Sequence, residues 1–158
     1  SKYSVRDQTF DTRFNNRYLL NFLYGKEWKM GKQKNNVLSV NGKFKIIGGT
    51  RYNELDQNTI DHYLDVFYGE IDYDYVNYRD LFKQNTRYSG QAPAYWRFDV
   101  GIAYKINRPK STHSIMLDIQ NATNHQNIHS YYFNSYTNKL EPYYLMGIIP
   151  VFNYRIEF

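Results

Sequence analysis

Few residues of this chain are spaced for covalent chemistry. It has no cysteine, which removes thiol nucleophiles, Cys-ligated zinc and a disulfide scaffold. No nucleophile–base pair has a recognisable local spacing, and no glycine loop is built to cradle phosphate. An enzyme is therefore the least supported class, and no cofactor is expected. His125 and His129 lie four apart, with His62 and His113 elsewhere. On a helix that spacing could share a metal, but the surrounding NHQNIHSYYFNSYTNKLE reads as loop, so surface histidines are the expectation. The remaining chemistry is recognition. Residues 50–94 hold eight acids (Glu54, Asp56, Asp61, Asp65, Glu70, Asp72, Asp74, Asp80) against four bases, Arg51, Arg79, Lys83 and Arg87. The same segment carries Tyr52, Tyr63, Tyr68, Tyr73, Tyr75, Tyr78 and Tyr88. Tyrosine offers rigid contact area with a polar tip, suited to a sugar, a peptide or a chelate. A connection longer than about 12–15 residues is uncommon without a role. EIDYDY could also hold calcium, or bridge lipopolysaccharide phosphates through divalent ions. A solvated surface loop accounts for the segment equally well.

The elements that must position this loop are strands. In GIIPVFNYRIEF, Ile148, Pro150, Phe152, Tyr154, Ile156 and Phe158 share one phase, and the opposite phase turns polar toward Asn153, Arg155 and Glu157. Side chains alternate across a strand, so one face is greasy and the other wet. Four more runs repeat the pattern. Tyr18, Leu20, Phe22, Tyr24, Lys26, Trp28 and Met30 oppose Arg17, Asn21, Gly25, Glu27 and Lys29. Leu38, Val40, Gly42, Phe44 and Ile46 oppose Ser39, Asn41, Lys43 and Lys45. Trp96, Phe98, Val100, Ile102, Tyr104 and Ile106 oppose Arg97, Asp99, Gly101, Ala103 and Lys105. Ile115, Leu117 and Ile119 oppose Ser114, Met116, Asp118 and Gln120.

Each run spans about 12–14 residues. A membrane-crossing strand needs roughly 9–11, and a strand in a soluble domain is usually nearer 5–6. GKQKN (31–35) and NRPKS (107–111) are short turns, while 50–94 and 125–142 are long connections. This alternation of short and long matches short periplasmic turns and longer extracellular loops. Lys26, the one charge on an outer phase, falls near the expected periplasmic rim, where its amine can reach the interface. Gly48-Gly49 marks a bend, and Pro150, which cannot donate to a ladder, predicts a bulge or distorted pairing. SKYS could be the tail of a sixth strand, and parts of 64–76 could extend strands above the membrane. The charges on the inner phases read first as a wall of mutually paired groups, and second as a substrate path.

Bulk composition points the same way without deciding it. Aromatics make up 19 %, with 18 tyrosines, yet mean hydropathy is -0.74. Lipid-facing and lumen-facing residues cancel in such an average. A soluble Tyr-rich β-sandwich that binds glycans fits the composition as well. The net charge of +5 is spread over alternate strand positions and turns, with no basic stripe, so nucleic acid is not an expected partner. No run approaches the roughly 20 apolar residues of a membrane helix. The opening SKYSVRDQTF carries no signal peptide and no starting Met, so the chain is expected to be mature, processed or the end of something longer.

NNRYLLNFLYGKEWKMGKQKNNVLSVNGKFKIIGGTRY, PAYWRFDVGIAYKINRPKSTHSIMLDIQNATNHQN and GIIPVFNYRIEF together resemble the carboxy-terminal strands of TonB-dependent receptors. The likeness is to the Bacteroidota group with a carboxypeptidase-regulatory-like amino-terminal domain, and it covers most of the chain apart from the acidic loop. The resemblance implies an all-β fold: about five to six antiparallel transmembrane strands of a 22-stranded β-barrel with long extracellular loops. Residues 1–158 would all belong to that barrel domain. It implies residence in the cell outer membrane and uptake of a nutrient such as a siderophore or other chelate, a glycan or a peptide. The implied partners are the lipid bilayer and lipopolysaccharide, the barrel-assembly machinery, a surface lipoprotein, and TonB–ExbB–ExbD. The last would act through an amino-terminal part of the parent protein. Phe152, Tyr154, Ile156 and Phe158 resemble the strand signal read during barrel assembly. Two other classes stay in view: the soluble glycan-binding sandwich, and a structural barrel component of a surface complex.

Overall fold

The computed structural model describes residues 2–5, 8–67, 69–83 and 86–158. Among them the chain forms β1 (Lys2–Val5), β2 (Gln8–Asp11), β3 (Leu19–Met30), β4 (Asn36–Ile47), β5 (Arg51–Tyr52), α1 (Gln57–Val66) and a 3-10 turn (Tyr78–Leu81). It continues through β6 (Gly90–Gln91), β7 (Tyr95–Asn107), β8 (Thr112–Gln120), β9 (Ile128–Asn134), β10 (Lys139–Tyr144) and β11 (Ile149–Glu157). Every strand pairing is antiparallel, and the architecture is all-β with one α-helix. The chain divides into two compact units.

One unit comprises Leu19–Ile47, Tyr95–Asn127 and Met146–Phe158. Its five strands form an open meander in the order β11-β8-β7-β4-β3. The register carries the phases across the sheet. Leu20, Ile46 and Trp96 form one cross-strand row, and Phe22, Phe44 and Phe98 form the next. Trp28, Leu38, Tyr104, Ile115 and Tyr154 form a longer one. Directly paired residues project from the same side of a sheet, so the five apolar phases fuse into one face. Rings meet along it, Phe22 to Phe44 at 6.3 Å and Phe44 to Trp96 at 6.2 Å. The opposite face collects Lys43 beside Asp99, and Lys45 beside Arg97.

This sheet has no interior of its own. Among the described residues the buried apolar side chains, Ile60, Ile71, Val76, Leu81 and Ala92, all belong to the other unit. Phe98 keeps 36 % of its surface exposed, Phe152 67 % and Tyr154 54 %. Trp96 is half-buried under His125, its ring stacked at 4.0 Å.

The tight turns close where the spacing placed them, with Gly31 at φ 83 and Lys34 at φ 55 in the first, and Arg108 N–H donating to Ser111 O at 2.9 Å in the second. Antiparallel order puts both at the same end of the sheet. The strands differ from expectation in extent. β8 and β11 have nine residues each rather than twelve or more, and β3 begins at Leu19, leaving Arg17, at φ 68, and Tyr18 outside the ladder. Pro150 causes no bulge: the register runs unbroken from Ile149↔Gln120 to Glu157↔Thr112. β11 is an edge strand, where a missing N–H can face away from the partner at no loss.

The other unit comprises Ser1–Tyr18, Gly48–Ala94 and Ile128–Leu145. Lys2–Val5 is not a sixth strand of the large sheet; it pairs with β2 in a separate hairpin. Among the described residues of 64–76, none extends a strand. Leu64 to Val66 close helix α1, and residues 73–75 are turn. The helix places Ile60, Tyr63, Leu64 and Phe67 on one stripe at spacings of three, four and seven. That stripe packs on Ile71, Val76 and Leu81 as a small core. The stretch 125–142, expected as a long connection, holds most of the β9–β10 hairpin, which has a register shift at Tyr143/Tyr144. The Gly48-Gly49 bend is observed, and its cause is close approach: a Cβ on Gly48 would run into the Asn16 carbonyl, and one on Gly49 into the Ala92 carbonyl.

Candidate functional site

The tyrosines of 50–94 do not form one platform. Tyr68 lies outside the described residues. Tyr63 lies in α1 and packs on the small core. Tyr75 is exposed in a turn. Three others converge on the β9–β10 hairpin. Tyr52 packs on Tyr131 with ring centroids 4.4 Å apart. Tyr73 meets Phe133 edge-on at 6.2 Å and donates its hydroxyl to Asn138 Oδ1 at 2.8 Å. Tyr78 meets Phe133 at 5.8 Å and Phe82 at 5.1 Å. Loss of solvent pushes the phenols of Tyr73, Tyr78 and Tyr131 up from the usual value. These rings are partly structural.

The hairpin they rest on is held by one carboxylate. Glu141 accepts from Asn134 Nδ2 at 2.8 Å, Thr137 Oγ1 at 2.9 Å and Tyr132 Oη at 2.9 Å. Those bonds favour the charged form and lower the Glu141 pKa, and the same carboxylate raises that of Tyr132. Sequence reasoning passed over Tyr131, Phe133 and Glu141. The available signal was alternation in HSYYFN and KLEPYY on either side of an SYTN turn.

Tyr78 and Tyr88 reach a second feature, a cleft of about 610 Å³. Arg79, Lys83 and Arg87 line it together with the aromatic rings of Tyr3, Tyr78, Phe82 and Tyr88. The 3-10 turn fixes Tyr78 and Arg79, with Asn77 Oδ1 accepting from the Arg79 N–H at 3.0 Å. Asn53 Oδ1 accepts from the N–H of Tyr88 at 2.9 Å, holding Tyr88 at φ 57. Lys83 pairs with Glu54 at 3.2 Å, and Glu54 also accepts from Ser89 Oγ at 2.9 Å. The Ser89 bond first, and then the Lys83 bond, hold the Glu54 carboxyl below the usual range.

The segment's other charges lie outside that lining. Arg51, the fourth base, is buried against Asp11 at 3.1 Å and donates to Ser89 O at 3.3 Å. Asp61 and Asp65 line a separate hollow, and Glu70, Asp72 and Asp74 another. EIDYDY does not make a metal cage. Asp72 Oδ1 accepts from the Asp74 N–H at 3.0 Å, and among the described residues no group of three or more His, Asp or Glu is placed to hold a cation. His125 stacks on Trp96 within its own unit, and in the other unit His129 meets Tyr143 edge-on at 6.2 Å.

On the polar face of the large sheet several charges pair along their own strand, Arg97 with Asp99 at 2.8 Å and Arg155 with Glu157 at 2.7 Å. Glu27 accepts from Ser39 Oγ at 3.0 Å. Phe152, Tyr154 and Ile156 share the apolar face, and Tyr154 Oη bonds His113 Nδ1 at 2.8 Å. Phe158 lies just beyond β11, fully exposed.

Fold and site together define an all-β protein with a two-faced five-strand sheet and a basic, aromatic cleft in a separate compact unit. No protein-family model matches the chain, and neither a curated protein nor a solved structure matches it.

Proposed function

We propose that this chain is a barrel portion of a TonB-dependent receptor of the cell outer membrane, serving uptake of a nutrient such as a chelate, a glycan or a peptide. The observation that carries the reading is the single apolar, aromatic face shared by β3, β4, β7, β8 and β11. Exposed rings and aliphatic side chains of that extent are costly in water, at about 25 cal/mol per Å² of apolar surface. Hydrocarbon removes the cost. A soluble β-sandwich would need a second sheet against that face, and this unit has one sheet.

Strand polarity bears on how the sheet is completed. In a five-strand meander β3 and β11 run the same way, and both are edges. An unpaired edge is forbidden in lipid. Copies of this sheet arranged in a ring would meet through parallel β11–β3 pairs, whereas bacterial barrels are antiparallel throughout with an even strand number. Completion therefore calls for an odd number of strands from outside the sheet. In this reading lipopolysaccharide and lipid cover the apolar face. TonB–ExbB–ExbD supplies energy through other parts of the receptor. The barrel-assembly machinery reads β11 through Phe152, Tyr154, Ile156 and Phe158, and a surface lipoprotein can cap the loops.

Membrane fractionation tests this. The protein is expected in the outer-membrane fraction, released by detergent and not by salt or alkali. A monodisperse, folded protein in plain buffer would reject the reading. An outer-membrane protein whose deletion leaves nutrient uptake unchanged would favour a structural barrel component instead.

A further inference from the structure

Both tight turns of the large sheet are basic. GKQKN (31–35) holds Lys32 and Lys34, NRPKS (107–111) holds Arg108 and Lys110, and neither turn contains an acid. All four residues are exposed, and the ion pairs among the described residues use other bases, Arg51, Lys83, Arg97 and Arg155. Asn35 and Asn107 stand 72 positions apart in sequence, yet the pairing of β4 with β7 sets the two turns side by side. Asn107 fastens them. Its Nδ2 donates to the Asn35 carbonyl in the first turn at 2.6 Å, and its Oδ1 accepts from Thr112 Oγ1, just past the second, at 3.2 Å. The result is one basic edge. The flanking acids are engaged behind it, Glu157 with Arg155 at 2.7 Å and Glu27 with Ser39 Oγ at 3.0 Å.

The apolar face changes character beside that edge. Trp28, Leu38, Tyr104, Ile115 and Tyr154 form a cross-strand row. It lies two to three residues inside the end of the ladder, roughly 7–10 Å from it. Its phenols lean toward the turns. Tyr104 Oη accepts from Asn36 Nδ2 at 3.2 Å. Tyr154 Oη bonds His113 Nδ1 at 2.8 Å, and His113 Nε2 bonds Ser111 Oγ at 3.2 Å. Asn36, His113 and Ser111 all lie on the turn side of the row. Rings on an apolar face with hydroxyls tipped toward one end suit the headgroup level of a bilayer. Bases just beyond that level fall among the phosphates, within reach of long Lys and Arg stems. A free inorganic anion on an open edge would meet one base at a time. A layer of lipid presents headgroup charge to all four and acyl chains to the rings.

We infer that the edge formed by Lys32, Lys34, Arg108 and Lys110, backed by the row of Trp28, Tyr104 and Tyr154, binds the phosphate headgroups of anionic phospholipid. The inference deepens the outer-membrane reading above and rests on it, naming the lipid that the turn end of the sheet selects.

Trp28 and Trp96, the two tryptophans of the chain, lie toward opposite ends of the apolar face. Lipid with brominated tails therefore reports on each end separately. The full chain in neutral mixed micelles is titrated with brominated phosphatidylglycerol or brominated phosphatidylcholine. Trp96→Phe leaves Trp28 as reporter, and Trp28→Phe leaves Trp96. Phosphatidylglycerol is expected to quench Trp28 with about fivefold or higher affinity than phosphatidylcholine. The preference should fade as salt rises and persist against inorganic phosphate at matched ionic strength. Trp96 should show no preference. Lys32→Gln, Lys34→Gln, Arg108→Gln and Lys110→Gln together should bring the two lipids level at Trp28. Acetylation of the unaltered chain needs no substitution: phosphatidylglycerol should shield Lys32, Lys34 and Lys110 more than phosphatidylcholine does, and leave Lys139, on β10, unchanged. Equal affinities at Trp28, the same preference at Trp96, displacement by inorganic phosphate, or a preference that survives loss of all four bases would each overturn the inference. Quenching of both tryptophans by both lipids without preference would discard the headgroup site and keep the membrane reading. A chain soluble in plain buffer, with tryptophans that neither lipid quenches, would remove both.

Discussion

The side chain of Asn127 replaces a strand beside Trp96. Its Oδ1 accepts from the Trp96 N–H at 2.9 Å, and its Nδ2 donates to the Trp96 carbonyl at 2.8 Å. β8 pairs with β7 only from Val100 onward, so the backbone of Trp96 has no strand on that side. Asn127 completes the ladder where β8 has already ended, and it is buried in doing so. Asn127→Ala would leave both groups of Trp96 without a partner. The expected loss is about 2 kcal/mol of unfolding free energy, read by denaturant titration in micelles. Amide exchange should quicken at Trp96 and its neighbours while the Gly101–Asn107 stretch stays protected.

The two faces of the large sheet should respond oppositely to charge. Val100 lies on the apolar face in a row with Gly42 and Ile119, and Ala103 lies on the other face between Ser39 and Met116. If lipid covers the first face, Val100→Arg costs about 2–4 kcal/mol near the bilayer midplane. Ala103→Arg should cost well under half as much. Folding into liposomes across a urea series measures both. Equal costs would count against the lipid assignment.

Glu141 makes the β9–β10 hairpin acid-sensitive. Its folded pKa lies below the ordinary 4.5 because Asn134, Thr137 and Tyr132 bond the charged form. A depressed carboxyl stabilises the fold fully above its unfolded value and loses that contribution as pH falls through the folded one. The hairpin should therefore be insensitive to pH above about 4.5 and loosen below it. Amide exchange over 128–144 between pH 6 and pH 3 reads this, and Glu141→Gln should flatten the profile.

Two glycines separate close approach from mere flexibility. A Cβ on Gly49 would meet the Ala92 carbonyl, which is backbone and cannot swing aside. On Gly42 it would meet only the Phe98 ring at 3.7 Å, an ordinary contact. Gly49→Ala should cost about 1–3 kcal/mol as overpacking, and Gly42→Ala well under 1. Thermal unfolding of the two variants side by side decides it.

The five long strands, their two tight turns and the division of each strand into an apolar and a polar phase were legible in the residues themselves. Period-two alternation is a local property, and Trp96, Phe98, Val100 and Ile102 need no knowledge of distant residues to fall on one side. The helix Gln57–Val66 was as local, with Ile60, Tyr63, Leu64 and Phe67 at helical spacing, but its stripe was masked by the acids between them. The β9–β10 hairpin was masked by the polar turn formers around it. What only the tertiary structure decided was company. Arg79, Lys83 and Arg87 meet Tyr3 across more than seventy residues of chain. Tyr52, Tyr73 and Tyr78 find Tyr131 and Phe133 through a hairpin that follows them by at least fifty. Periodicity along a strand reports which way a side chain points; which residues gather at one site depends on loop closure and packing between distant segments, and no spacing within a short window encodes that.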